Sequence, residues 1–310
     1  MHNSTNNKDI NSKTNNKRKL LDARTIFNIL GYSLVIVTAL VCLIPFIMLI
    51  SGSMTSENAI VNYGYGIIPK EVSFESYALL FKYPGDLIRA YGVSIFVTVS
   101  GTAIGLFTTA MTAYVINKKE FKYRNKLSFF FYFTTLFNGG ILSLYILMVR
   151  YLHLKNSMLA LILPPVVNVF YLIVFRTFIS SIPDSISESA RIDGAGEFTI
   201  FIKLILPLSK AALATIGLFY ALNYWNDWYN AMLYITDIKK FPLQYLLYSM
   251  ISSAEAISRI SNFASVANIE VPTRSLKLAM AVVATGPIIL IYPFIQRYFV
   301  KGITVGAVKG

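Results

Sequence analysis

The stretch P-D-S-I-S-E-S-A-R-I-D-G-A-G-E-F-T-I-F-I-K-L-I-L-P, from Pro183 to Pro207, is the one polar island between two long apolar spans in the second half of the chain. Five of its residues are charged within fourteen positions: Asp184, Glu188, Arg191, Asp193 and Glu197. Ile186, Ala190, Ile192 and Ala195 fall on roughly one helical face, and the charges lie largely on the others. Pro183, Asp184 and Ser185 make a helix start, and Gly194 ends that helix after about two and a half turns. The stretch therefore predicts a short amphipathic helix, a turn of small residues, and a second helix entering an apolar span at Pro207. A helix this short is unstable alone in water, so a partner surface is expected to hold it.

Composition sets the surroundings of this island. Apolar residues make up 55% of the chain and charged residues only 14%, far from the balance of a soluble domain. The formal charge of +13 is not a nucleic-acid footprint, because the basic residues sit in short clusters between apolar spans, as in the cytoplasmic loops of membrane proteins. The single cysteine, Cys42, excludes a disulfide within the chain and a cysteine-based metal site, and two histidines, His2 and His153, exclude a histidine-rich one. No metal site is expected.

Residues 1–24 carry six basic and two acidic residues with almost no apolar content, the composition of a disordered tail. The run from Thr25 to Ser56 has no charge, too long for a cleaved leader. It predicts a retained first transmembrane helix over Ile26–Ile50, within a segment 25–87 that ends in an outer loop. Further spans are predicted at Ala90–Asn117, Leu127–Val149, Ser157–Phe175, Leu208–Asn226 and Leu278–Gln296, within a core of 88–300, followed by a tail of 301–310. Pro164-Pro165 interrupts the fourth span, and Phe241–Ala254 is apolar but too short to cross. Lys118 to Lys126 holds five basic residues and one acidic, so it is expected on the cytoplasmic side. With six spans, both termini and the 183–207 loop share that side. The fold class expected is an all-α, multi-pass integral membrane protein of the cell membrane, with six transmembrane helices in the lipid bilayer.

Two clusters could carry chemistry. Asn138-Gly139-Gly140 lies mid-span, where a Gly pair predicts a bend or unwound turn. Irregular backbone at that depth fits either a lining of a translocation path or close packing. Tyr220, Asn223, Tyr224, Trp225, Asn226 and Asp227 end the fifth span. Ring faces stack on sugars and amides or carboxylates bond their hydroxyls; Trp and Tyr equally gather in a belt at a membrane interface. Both roles stay open. The Gly101-x-x-x-Gly105 spacing is a helix-packing signal. No ionisable residue falls well inside a span, against a proton relay or voltage sensor. No G-x-x-x-x-G-K-[ST] string is present, so ATP is not held in a phosphate loop of this chain. No nucleophile–base pair is visible in the spans, and no catalytic residue is expected.

Glu188-Ser189-Ala190, Gly194 six residues after Glu188, and Leu204-x-Leu206-Pro207 resemble the EAA loop of ATP-binding-cassette (ABC) importer permeases. The blocks A-L-I-L-P from Ala160, F-R-T-F from Phe175, S-I-P-D from Ser181 and A-R-I-D-G-A from Ala190 resemble the carbohydrate-uptake branch of that family, and within it the second permease of oligosaccharide or uronate-glycan systems. The similarity runs from about Ile88 to the C-terminus. Trp225-Asn226-Asp227 matches a W-N-D string of the fifth helix, whereas Ser143 stands where a Pro usually follows the Gly pair. The resemblance implies a type I importer permease fold and a non-enzymatic subunit with a cytoplasmic coupling helix. Glu188, Ser189, Ala190, Asp193, Gly194, Ala195, Leu204, Leu206 and Pro207 would form the ATPase-coupling loop, and an outer loop near 237–277 would meet a binding protein. The implied partners are a second, different permease chain, a dimer of ABC ATPases that uses ATP and Mg, and an extracellular solute-binding lipoprotein delivering a sugar. This chain itself would bind no cofactor. A permease for another solute class, and a secondary transporter, are the alternatives.

Overall fold

The computed structural model describes residues 5–264, 272–287 and 289, with side chains described for 25–257, 272–287 and 289. The C-terminal half of the expected sixth span and the tail 301–310 lie outside them. The chain divides into two compact units, one of residues 1–76 with 274–282 and one of 77–273 with 283–310. Among the described residues no strand forms; the only β feature is an isolated bridge between Thr55 and Val72.

In the first unit, α1 spans Thr5–Ser53. It is already helical where composition predicted a disordered tail, because no Gly or Pro stops propagation back from the apolar segment. Residues Thr25–Ser53 are 29 in number and expose apolar side chains on every side, the surface a bilayer accepts. Helix α2 (Glu57–Tyr63) is capped by Ser56, whose Oγ accepts from the Ala59 N–H and donates to Glu71. The Glu57 carboxylate accepts from the backbone N–H groups of Arg274 and Ser275, each at 3.0 Å. It thereby caps a later helix over residues 273–287, where an anion meets unpaired donors. We number that helix α15.

The second unit is built on α4 (Pro84–Asn117), reached through α3 (Glu75–Leu80). Its buried stripe runs Leu87, Ala90, Ser94, Val97, Gly101, Gly105, Thr109, Ala113, three or four residues apart as helix packing requires. Gly101 and Gly105 form sockets. A Cβ on Gly101 would lie 2.5 Å from Cζ of Tyr224, and one on Gly105 would lie 2.9 Å from Cε1 of Tyr220. The two tyrosines come from α12 (Lys210–Trp225). Tyr220 is fully buried; its hydroxyl donates to the Val166 carbonyl at 2.9 Å and meets Thr109 Oγ1 at 2.8 Å. The Tyr224 hydroxyl donates to the Ile162 carbonyl at 2.8 Å. Those carbonyls flank Pro164-Pro165, where the helix is broken and leaves acceptors free. Tyr220→Phe is therefore expected to destabilise the folded chain by about 1–2 kcal/mol, as the buried partners lose their donor. Unfolding followed in mild detergent checks this.

Of the expected spans, the first two lie within α1 and α4, which alone among the described helices are long and apolar enough to cross a bilayer. The third and fourth are interrupted, whereas the fifth is the shorter continuous helix α12. The third is α5 (Arg124–Leu136), then a 113° bend at Phe137–Gly139, then α6 (Gly140–Ile146) closing in a π-helical turn to Tyr151. The fourth splits into α7 (Leu159–Ile162) and α8 (Val169–Ile179), because the two prolines supply no N–H to the helix. Three bent helix pairs raise the candidate spans to as many as five. After α12 come α13 (Tyr229–Tyr234) and α14 (Leu243–Ala264). The latter outruns the expected Phe241–Ala254 because no Gly or Pro stops it. Asn156 ties the connections on either side of α7 and α13: its Oδ1 accepts from the N–H groups of Thr236 (2.6 Å) and Asp237 (3.1 Å), and its carbonyl accepts from Lys240.

Candidate functional site

The 183–207 stretch forms the short helix and the glycine turn that its spacing predicts, but its second helix does not run on unbroken into the following span. Helix α9 spans Asp184–Ile192, with Pro183 at its N-cap. Gly194 adopts φ +81°, the left-handed region that a glycine enters without strain. The Ala195 N–H bonds the Ala190 carbonyl at 2.9 Å and the Gly194 N–H bonds the Arg191 carbonyl at 3.0 Å. This pair of bonds is a Schellman closure, which satisfies the last carbonyls of a short helix. Helix α10 (Glu197–Ile200) then leads through a π-helical turn, Phe201–Ile205, into a short α11 (Leu206–Leu208). Pro207 explains the wide turn: without an N–H it cannot continue the ordinary bonding, and the extra residue relieves its clash with the preceding turn. The break at Ser209 turns the chain by 83° into α12.

One face of α9 is held and the other is free. Ala190, Ala195, Leu204 and Leu206 pack against the core, and Ile186 is half-buried. Ile192 leaves the face assigned to it from sequence and is 87% exposed. It follows Ile186 by six residues, which places it well round the helix. Glu188, Ser189, Asp193 and Pro207 are exposed too.

Ion pairs fix α9 to the loop after α4. Arg191 donates from Nε to Glu197 at 3.0 Å and from a terminal nitrogen to Glu120 at 2.9 Å. Lys119 pairs with Asp184 at 2.8 Å, Lys118 pairs with Glu197, and the Tyr114 hydroxyl donates to Glu197 at 2.8 Å. Tyr114, Lys118, Lys119, Glu120, Asp184 and Arg191 line a cavity of about 140 Å³ together with Glu188. The Glu120 carboxyl is held below its ordinary range, first by its own backbone N–H and then by Arg191. Burial, and then the Arg191 charge, lowers the Lys118 ammonium. Sequence had marked Lys118–Lys126 only for the side of the membrane it occupies. The signal for more was Glu120, the one acid within that basic run.

The aromatic–amide cluster separates into two groups. Tyr220, Tyr224 and Trp225 are buried; the tyrosines fill the α4 sockets and the Trp225 Nε1–H donates to the Ala284 carbonyl at 3.2 Å. Their polar atoms are spent on the protein itself. Asn223, Asn226 and Asp227 instead line an open cavity of about 580 Å³ with Tyr171, Phe219 and Tyr229. Asp227 is oriented by Asn230, whose N–H and side-chain amide donate to it at 3.0 and 2.6 Å. Such a wall can hydrogen-bond hydroxyls and present ring faces; it holds no nucleophile beside a base. Asn138, Gly139 and Gly140 are exposed at their own break, outside this cavity. Asn138 Oδ1 accepts from the Gly140 N–H at 2.8 Å, and Gly140 takes φ +78°. Among the described residues no group of three or more His, Cys, Asp or Glu could hold a metal ion.

Known proteins share this architecture. A chain in the crystal structure of a bacterial ABC transporter involved in the import of the acidic polysaccharide alginate matches with a TM-score of 0.73 and 30% identity, over 88% of this chain and 96% of that one. The polygalacturonan/rhamnogalacturonan transport system permease protein YtcP of Bacillus subtilis is 40% identical over 287 residues, 92% of this chain and 99% of the relative. The protein LplC of the same organism is 40% identical over 270 residues, 87% and 90% of the two chains. Residues 93–305 match the family described as binding-protein-dependent transport system inner membrane component. The matched segment takes in α9 with its closing glycine and the α4–α12 pair. The chain thus belongs to that family of helical, multi-pass inner-membrane components, the permeases of ABC transporters.

Proposed function

We propose that this chain is one of two permease subunits of an ABC importer that carries a sugar or oligosaccharide into the cell, polygalacturonan, rhamnogalacturonan and alginate fragments being the first candidates. One observation carries the proposal: α9 is closed at Gly194 and tied down on one face, and it offers Glu188, Ile192 and Asp193 on the other. That free face suits a groove on an ATPase subunit. A helix too short to stand alone is here made rigid enough to receive force. With the six spans expected from sequence, α9 and both termini would lie in the cytoplasm, on the side of the basic loop after α4. The chain performs no chemistry; ATP and Mg are used by the partner ATPase dimer. An extracellular binding protein delivers the sugar to a path between this permease and a second, different one. Asn223, Asn226 and Asp227 are the residues best placed to touch it, and the break at Asn138–Gly140 is a further candidate lining.

Purification of the wild type and of Glu188→Arg combined with Gly194→Trp from the native membrane tests this. The wild type is expected to bring an ATPase and a second permease. The double variant is expected to lose the ATPase or its sugar-stimulated turnover. An ATPase-free wild type whose uptake continues without ATP overturns the proposal in favour of a secondary transporter. Stimulation by some other solute keeps the importer and replaces the sugar.

A further inference from the structure

A second charged site lies apart from α9. Arg176, near the end of α8, donates to Ser128 Oγ of α5 at 3.1 Å. Among the described residues no carboxylate pairs with it. It stands in a cavity of about 590 Å³ between α5 and α8. Its lining joins polar groups, Arg176, Ser128 and Asn117, to the ring and hydrocarbon surfaces of Phe129, Tyr132 and Ile173, which are 64%, 54% and 49% exposed. Asn117 ends α4 and Arg124 begins α5, so the cavity adjoins the connection that carries Lys118, Lys119, Lys122, Arg124 and Lys126 against the single acid Glu120.

Guanidinium donors left over after Ser128 call for an anion, and a planar fork suits phosphate. The apolar wall calls for hydrocarbon. In the orientation proposed above, a half-buried cation at the end of an apolar helix, with a basic loop near it, would meet anionic headgroups of the cytoplasmic leaflet. We propose that the α5–α8 groove is a binding site for one anionic phospholipid, with its phosphate on Arg176 and Ser128 and an acyl chain along Phe129 and Ile173. The site goes beyond the transport function proposed above and rests on it only for the side of the membrane.

The test uses the assembled transporter in nanodiscs of phosphatidylglycerol and phosphatidylcholine, read by native mass spectrometry. Wild type is expected to retain phosphatidylglycerol after the annular lipid is stripped. Arg176→Gln is expected to hold it roughly tenfold more weakly, from the loss of one charge-assisted contact. A photoactivatable phosphatidylglycerol provides a readout that needs no variant: it should label peptides carrying Phe129 or Ile173. Equal retention by wild type and Arg176→Gln, or label confined to other helices, overturns the proposal. So does loss of the second permease from Arg176→Gln, which would make the groove a face between subunits. Displacement by excess inorganic phosphate overturns the acyl-chain part. None of these readouts requires sugar uptake, so failure here is distinct from failure of the transport function.

Discussion

Gly101→Val is expected to destabilise the chain by about 3 kcal/mol or more, at the upper end of overpacking effects. A side chain at this position must enter the Tyr224 ring, since even its Cβ would lie 2.5 Å from Cζ. The ring cannot swing clear. It is buried, and its hydroxyl is fastened to the Ile162 carbonyl. Gly92 lies on the same helix and a Cβ there would meet nothing within 4 Å. Gly92→Ala should therefore stabilise by up to about 1 kcal/mol, the ordinary helix preference. The sign of the change thus depends on what faces the glycine. Tyr224→Ala added to Gly101→Val should recover part of the loss, a coupling readable by a double-mutant cycle. Unfolding midpoints of wild type, Gly101→Val, Tyr224→Ala and the double variant decide it; additive losses would mean the ring and the glycine do not share space.

Arg191→Ala is expected to leave stability within about 1 kcal/mol of wild type, because exposed ion pairs contribute little, yet to cut ATP-driven uptake roughly tenfold, equivalent to about 1.4 kcal/mol of lost coupling. The disparity follows from geometry. Arg191 joins Glu120 to Glu197, so its loss leaves α9 tied to the loop after α4 through Lys119–Asp184 and loosens it without opening the core. Hydrolysis should persist while transport falls. Arg191→Glu with Glu120→Arg should restore uptake in part. The Glu120 carboxyl has a folded pKa below its ordinary 4.5. Its contribution is therefore fully present above that ordinary value and is lost as pH falls through the lower folded one. Coupling should be flat across neutral pH and weaken only in strong acid. Uptake and hydrolysis measured together check both expectations; parallel loss of the two would place Arg191 in ATPase docking instead.

What could be read from sequence was local. Helix α9 was legible because Pro183 and Gly194 punctuate it within one short stretch, and the Asn138–Gly140 break because a Gly pair announces its own irregularity. Ile192 misled, since six residues from Ile186 is far from a whole number of turns. What sequence hid was pairing across distance. Tyr220 and Tyr224 look like sugar-facing rings until Gly105 and Gly101, more than a hundred positions earlier, supply sockets for them. The Gly101-x-x-x-Gly105 spacing did mark a packing surface, but nothing in it named the aromatic partner. Asn156 reads as an unremarkable loop amide, although it gathers Thr236, Asp237 and Lys240. In each case the missing information was which distant segment fills the space beside a residue.

The two tyrosine sockets also have a mechanical meaning. Helices α4 and α12, pinned at Gly101 and Gly105, form a beam that resists sliding, since any slip of one helix along the other drives a ring into backbone. Flexure is then left to the interruptions of the chain: Phe137–Gly139, the 73° corner between α8 and α9, and the 83° corner at Ser209. Two of these three flank the 183–207 stretch. In the proposed importer a push on α9 would pass between two elbows to this stiff pair and emerge at the far end of α12, where Asn223 and Asn226 line their cavity, as displacement of α4 and α12 together.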